Sequence, residues 1–263
     1  MKNTTASSLS AMKANGEKFA VLTAYDFTFS TLIEKAAIEV VLVGDSLGNV
    51  IQGRDSTIPV TVDEMAYHTE AVKRGNKRAL LITDMPFMSY ATEAQALENA
   101  AVLMQAGAQM VKLEGGEWLA DTVQLLTERG IPVCGHVGLT PQSVHKLGGY
   151  KVQGKEQQAA AQMIADAKAL ESAGAELIVV ECVPSSLGRE LSEALDIPVI
   201  GIGAGPDTDG QVLVLHDMLG ISQRLPSFSK NFLDENSGIE EAITAYGNAV
   251  RSGSFPGPEH CFK

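Results

Sequence analysis

The stretch MVKLEGGEWLADTVQLLTERGIPVCGHVGL, residues 110–139, contains the unit from which the whole chain is built. Two short apolar runs, MVKLEGG (110–116) and PVCGHVGL (132–139), flank a segment of helical spacing. That segment, EWLADTVQLLTERG, stops at Gly130, a residue type that readily takes the left-handed conformation past a helix end. The runs are nearly continuous rather than alternating, which is the pattern of parallel strands covered on both faces.

The same pattern recurs along the chain. The other runs are AVLTAYD (20–26), VVLVGDS (40–46), ALLITDMP (79–86), LIVVECVP (177–184), PVIGIGAG (198–205) and QVLVLHD (211–217). Most are followed by Ala/Leu/Glu-rich helical segments. Thr92 is expected to cap EAQALENAAVLMQAGA, which ends at Gly107, and the helix over 156–175 stops at Gly174. Asp63 is expected to cap the helix beginning EMAYHTEAV. Eight strands with intervening helices in 263 residues predict a (β/α)8 TIM barrel, a fold of about 250 residues.

Three places break the rhythm. Residues 47–61 and 140–155 are long polar segments after strands two and five, a length typical of lids or binding loops. Only PDTDG separates strands seven and eight, so the barrel is expected to be irregular there. No linker is evident, and residues 1–263 read as one barrel domain with an N-terminal cap segment, a terminal helix near 238–251 and a tail.

Lys and Arg number 20 against 32 Asp and Glu, a net charge of −12, which disfavours nucleic acid or an anionic membrane as partner. The start lacks a signal-peptide apolar core, and no run approaches the roughly 20 apolar residues of a membrane span, so a cytoplasmic protein is expected. Cys134, Cys182 and Cys261 are an odd set without metal spacing and read as reduced thiols, the first two in the core.

In such barrels the chemistry gathers where the strands' carboxyl ends feed their loops. Ionisable residues stand there on six runs: Asp45 with Ser46, Asp84, Lys112 with Glu114, His136, Glu181, and His216 with Asp217. Carboxylates converging in a partly buried mouth repel one another, and an all-oxygen set without Cys favours Mg²⁺ as the neutralising ion. Lys112 and Glu114 are two apart and face the same side of a strand, either as a substrate contact or as a structural ion pair. Glu181 follows the apolar LIVV, as suits a general base; a barrel-interior ion pair with Lys112 is the competing reading. His136 either contacts substrate or satisfies the mouth, and His216 reads as structural. GIGAGPDTDG (201–210) looks like a phosphate loop, but Asp207 and Asp209 argue instead for close backbone packing or a small-ligand contact.

These segments carry a resemblance. TAYD (23–26), VGDSLGNVIQG (43–53), TDMPFMSY (83–90), VKLEGG (111–116), GHVGLTPQS (135–143), GGYKVQG (148–154), VVECVP (179–184) and GIGAGPDTDGQVLVLHDMLG (201–220) span nearly the whole chain. Together they resemble the ketopantoate hydroxymethyltransferase family. The resemblance implies a barrel of the phosphoenolpyruvate/pyruvate-binding type and a Mg²⁺-dependent one-carbon transfer. The donor would be 5,10-methylenetetrahydrofolate, the acceptor 3-methyl-2-oxobutanoate and the product 2-dehydropantoate, a precursor of pantothenate. It implies Asp45, Asp84 and Glu114 as metal residues, Glu114 directly or through water. Asp45, Ser46, Asp84, Lys112 and His136 would contact the oxoacid, with Glu181 as proton acceptor. It further implies a homo-oligomer built as a ring of dimers, a decamer or similar.

Two alternatives stand beside that reading. One is a Mg²⁺-dependent carbon–carbon lyase acting on a 2-oxoacid, but the Lys-Lys-Cys-Gly-His motif that such lyases share is absent here. The other is a non-catalytic barrel that binds an oxoacid.

Overall fold

A computed structural model describes residues 3–263; the first two positions of the N-terminal segment lie outside the described residues. Eight parallel strands close into a barrel: β1 (Phe19–Thr23), β2 (Val40–Val43), β3 (Leu80–Asp84), β4 (Met110–Glu114), β5 (Val133–Gly138), β6 (Leu177–Glu181), β7 (Val199–Ile202) and β8 (Gly210–Leu213). β1 pairs with β2 on one side and β8 on the other. The flanking helices are α1 (Ala6–Ala14), α2 (Phe27–Lys35), α3 (Val62–Gly75), α4 (Glu93–Gln105), α5 (Ala120–Glu128), α6 (Gln157–Ser172), α7 (Ser185–Ala194) and α8 (Ile239–Arg251). As expected, no helix intervenes between β7 and β8.

Strand periodicity divides the core in two. Val21, Val40, Leu42, Leu80, Ile82, Met110, Cys134, Leu177, Val179 and Ile200 form one cluster inside the barrel. Their neighbours Leu22, Val41, Val43, Leu81, Val111, Leu113, Val133 and Val180 pack outward against the helices. Leu9 of α1 joins the inner cluster with no exposure, so the N-terminal segment closes the amino end of the barrel. Lys13 anchors that cap by donating to the Ser192 and Ile197 carbonyls and to Asp209. The packed amino end leaves the carboxyl ends of the strands as the place for a site.

Local signals decide the helix ends. Thr92 caps α4 by accepting from the Gln95 N–H, and Gly107, Gly130 and Gly174 all take positive φ just past their helices. The cap of α3 is Thr61, not Asp63. Thr61 accepts from the Glu64 N–H while the Glu64 carboxylate accepts the Thr61 N–H at 2.8 Å, a reciprocal box. Asp63 lies one residue inside the helix, where its charge faces the positive helix end. Cys134 and Cys182 are buried free thiols, the first pushed up to about 12 by burial.

Other departures from expectation lie beyond the strands. β8 ends at Leu213, and His216 and Asp217 sit on a short helix, Leu215–Met218. The Leu215 N–H donates to the Thr23 hydroxyl, which turns the chain away from the ladder. The segments 47–61 and 140–155 contain helical turns at Leu47–Val50, Pro141–Ser143 and Val144–Leu147. The glycines of 201–210 serve close packing: a Cβ on Gly205 would meet Ser185 at 2.6 Å, and one on Gly201 would meet the Thr208 hydroxyl at 2.5 Å. Asp207 and Asp209 are paired with Arg189 and Lys13.

The capping assignment is testable by chemical denaturation. Thr61→Ala should lower stability by about 1 kcal/mol, and Asp63→Ala by only a few tenths, about what a charge near a helix end contributes. Equal losses would restore Asp63 as the cap.

Candidate active site

The inward positions of the strands change character at the carboxyl end. In β3 the series Leu80, Ile82 continues to Asp84; in β4 Met110 continues to Lys112 and Glu114; in β5 Cys134 continues to His136; in β6 Leu177 and Val179 continue to Glu181. Because every second residue points the same way, the strands that fill the barrel with apolar groups also aim these five side chains into one mouth. Register completes the alignment, with Asp84 opposite Lys112, Glu114 opposite His136 and Gly138 opposite Glu181. Gly138 takes positive φ, and a Cβ there would lie 2.3 Å from the Glu181 carbonyl, so only glycine lets β5 run this close to β6. Asp45 lies two residues past the end of β2, and its N–H donates to Asp84 Oδ2 at 3.0 Å.

Lys112 stands at the centre and is 4% exposed. Its Nζ is 3.1 Å from Asp84 Oδ1, 3.9 Å from Glu114 Oε1 and 3.0 Å from His136 Nδ1. Burial alone would lower the affinity of Lys112 for its proton, but Asp84, Glu114 and Asp45 outweigh it and hold the ammonium charged. The carboxyls respond in the opposite sense. Burial raises the pKa of Asp45, which Asp84 and Glu114 raise further by repulsion, and burial likewise raises Asp84 and Glu114 while Lys112 opposes it.

An ammonium has only hydrogen-bond donors, so His136 Nδ1 must accept from Lys112 and the ring proton resides on Nε2. Burial and Lys112 keep this imidazole neutral by lowering its pKa. Nε2 lies 3.2 Å from Glu181 Oε2, off the line of a well-formed hydrogen bond. Glu181 is thus linked to Lys112 through His136, and the ion pair of Glu181 with Lys112 is not formed. Ser46, at the start of the turn Leu47–Val50, exchanges a 2.8 Å hydrogen bond with the buried Tyr25 hydroxyl. His216 packs its ring against Tyr25 at 5.6 Å, consistent with its structural reading.

Two site residues carry no signal in the sequence. Gln142 donates from Nε2 to Asp45 Oδ2 at 2.8 Å and to the Met85 carbonyl at 3.0 Å, while its main-chain N–H donates to Glu114 Oε2 at 3.0 Å. Tyr90 donates to Gln142 Oε1 at 2.6 Å. Both lie within quoted segments, GHVGLTPQS and TDMPFMSY, but a glutamine and a tyrosine in a loop give no hint of what they brace.

The carboxylates have a common pattern. One oxygen of Asp84, Glu114 and Asp45 accepts a protein N–H; of the others, Asp84 Oδ1 is ion-paired with Lys112, Glu114 Oε1 is buried without a hydrogen bond, and Asp45 Oδ1 accepts none among the described residues. Three carboxylates against one ammonium leave two negative charges, the charge of one divalent cation. The free donors are all hard oxygens, the preference of Mg²⁺. No three His, Cys, Asp or Glu side chains among the described residues already surround an ion-sized point, so the donors fit a cation in kind and charge but would have to close on it.

A family model described as ketopantoate hydroxymethyltransferase matches residues 3–258. The chain is 60% identical to the 3-methyl-2-oxobutanoate hydroxymethyltransferase of Shewanella sediminis and 59% identical to that of Cronobacter sakazakii, covering all of both chains in each case. Among solved structures, its fold is similar to 2,3-dimethylmalate lyase, a PEP mutase/isocitrate lyase superfamily member, with a TM-score of 0.59 at 15% identity over 95% of this chain and 100% of that one. It is also similar to phosphonopyruvate hydrolase in complex with oxalate and Mg²⁺, with a TM-score of 0.61 at 13% identity, covering 98% and 93%. No helix among the described residues is long and apolar enough to cross a membrane.

The buried charges carry a stability prediction. In divalent-free buffer, Lys112→Met should lower unfolding free energy by about 3 kcal/mol or more, because it leaves buried carboxylates without a counter-charge. An unchanged denaturation midpoint would show that these carboxyls are already neutral.

Proposed function

The chain belongs to the ketopantoate hydroxymethyltransferase family, and from that premise we propose that its barrel mouth transfers a hydroxymethyl group from 5,10-methylenetetrahydrofolate to 3-methyl-2-oxobutanoate, forming 2-dehydropantoate for pantothenate synthesis. The observation that carries this reading is the convergence of Asp45, Asp84, Lys112, Glu114, His136 and Glu181 in one mouth, with one ammonium at Lys112 and a carboxylate across from it at Glu181.

The barrier lies in removing a proton from C3 of the oxoacid, a weakly acidic C–H beside a ketone. Asp45 and Asp84, with Glu114 directly or through water, are the residues that would hold Mg²⁺. Bound there, the ion supplies a Lewis acid that draws electron density from the ketone and carboxylate oxygens. Ser46 and the main chain at 45 and 46 orient the oxoacid, and Lys112 adds fixed positive charge where the enolate oxygen develops. Glu181 accepts the C3 proton, and the Nε2–H of His136 faces the carboxylate that performs this step. One folate nitrogen releases the methylene as an iminium, and the C3 electron pair forms the new carbon–carbon bond to it; water then takes the place of the second nitrogen, its oxygen remaining as the hydroxyl, so that the C3 proton and one water proton end on the two nitrogens of the departing tetrahydrofolate. The segments 47–61 and 140–155 border this mouth and would exclude solvent during the exchange.

The chain is taken to act as one barrel domain in a cytoplasmic homo-oligomer of ring type. Tyr67, Val102 and Ile239, large apolar side chains exposed on helices, support burial against another copy.

Incubation with both substrates and Mg²⁺ should yield 2-dehydropantoate, and a chelator should abolish it; oxoacid binding without turnover would favour a non-catalytic barrel. Glu181→Gln should keep oxoacid binding yet lose exchange of C3 deuterium with solvent by at least about a hundredfold, the scale of general base catalysis. Retained exchange would remove Glu181 as the base. Asp45→Ala and Asp84→Ala should each shift the Mg²⁺ requirement upward, and an unchanged titration would overturn the ligand assignment.

A further inference from the structure

Gln142 is 5% exposed and lies on the helical turn Pro141–Ser143, in the long segment after β5. Its side chain and main chain together contact two of the three carboxylates of the site, each through a single oxygen. We propose that Gln142 is a positioning residue for the reaction. It holds Asp45 Oδ2 and Glu114 Oε2 so that the opposite oxygen of each is presented to the bound cation and oxoacid. This inference rests on the reading of the mouth as a cation and oxoacid site.

Three features carry it. First, the amide has only one workable orientation. As placed, Nε2 donates to two acceptors, Asp45 Oδ2 and the Met85 carbonyl, and Oε1 accepts from the Tyr90 hydroxyl. Turned over, Oε1 would face a carboxylate and a carbonyl, two repulsive contacts in a buried setting. Second, that orientation is locked from behind. The Tyr90 hydroxyl donates to Oε1 at 2.6 Å and pins it. Third, the oxygens on the far side accept no hydrogen bond: Glu114 Oε1 is buried without one, with the Lys112 ammonium 3.9 Å away, and Asp45 Oδ1 accepts none among the described residues. A carboxylate tethered at one oxygen cannot turn that oxygen toward a ligand, so the brace selects the one that can.

The same geometry makes the site depend on the segment 140–155. The turn at Pro141–Ser143 must be seated for Gln142 to reach Asp45, which lies 97 residues earlier in the chain. Lifting the turn would release Asp45 and Glu114 together.

The test uses the full-length protein, with Mg²⁺ as the probe, titrated calorimetrically into wild type, Gln142→Met and Tyr90→Phe. Metal-free thermal melting and circular dichroism report folding, and kcat and KM for the oxoacid are measured alongside. Gln142→Met should weaken Mg²⁺ binding by about 10- to 100-fold, the range for groups that orient metal ligands, and lower kcat. Tyr90→Phe, which removes only the pin, should move both in the same direction by a smaller factor. A folded Gln142→Met protein whose Mg²⁺ affinity stays within twofold of wild type overturns the proposal. If that variant fails to fold, an unchanged affinity in Tyr90→Phe overturns it. Wild-type protein that ignores Mg²⁺ but binds the oxoacid would refute the cation reading separately. The brace then stands or falls on whether both variants raise the oxoacid KM.

Discussion

The mouth of this barrel depends on one buried ammonium. Removing Lys112 from water costs several kcal/mol, and only surrounding negative charge can offset that. Asp84, Glu114 and Asp45 provide it, yet three carboxylates around one lysine overcompensate and strain one another. The result is a centre that is cationic at one atom and anionic overall. In the proposed function this is what lets an acidic protein hold an anionic oxoacid: the lysine and a divalent ion would meet the ligand, while the surplus carboxylates would retain the ion.

Around this charge the protein spends its own hydrogen bonds sparingly. Asp45 and Glu114 each give one oxygen to a neighbouring N–H and keep the other without a hydrogen bond, while Asp84 divides its two oxygens between the Asp45 N–H and the Lys112 ammonium, so the site is held in place without being saturated. His136 plays a comparable part between Lys112 and Glu181. Because a lysine can only donate, it dictates the histidine tautomer and hence which ring nitrogen faces Glu181. An electrostatic choice on β4 is thus passed through β5 to the carboxylate on β6.

Much of this was legible in the residues. The apolar runs and glycine stops located all eight strands, because burial on both faces leaves a compositional mark and helix ends favour residues that tolerate positive φ. Period two also placed Lys112 and Glu114 on one side. Legibility failed where identity depends on a partner distant in sequence. Asp63 looked like a cap because aspartate often is one, but the reciprocal pairing of Thr61 with Glu64 satisfies the helix end. His216 and Asp217 looked like a strand end until the Thr23 hydroxyl turned the backbone away.

By itself the sequence determined the barrel, its two-faced strands, the irregular join before β8 and the ionisable residues at the strand ends, since all of these follow from local periodicity and chain order. Tertiary structure alone decided which charges meet. It set Lys112 against Asp84 rather than Glu181, put His136 between Lys112 and Glu181, and brought Gln142 to Asp45 across 97 residues. The reason is physical: strand register and loop seating set distances of a few ångströms, and buried charges and hydrogen bonds respond to those distances, which no spacing along the chain records.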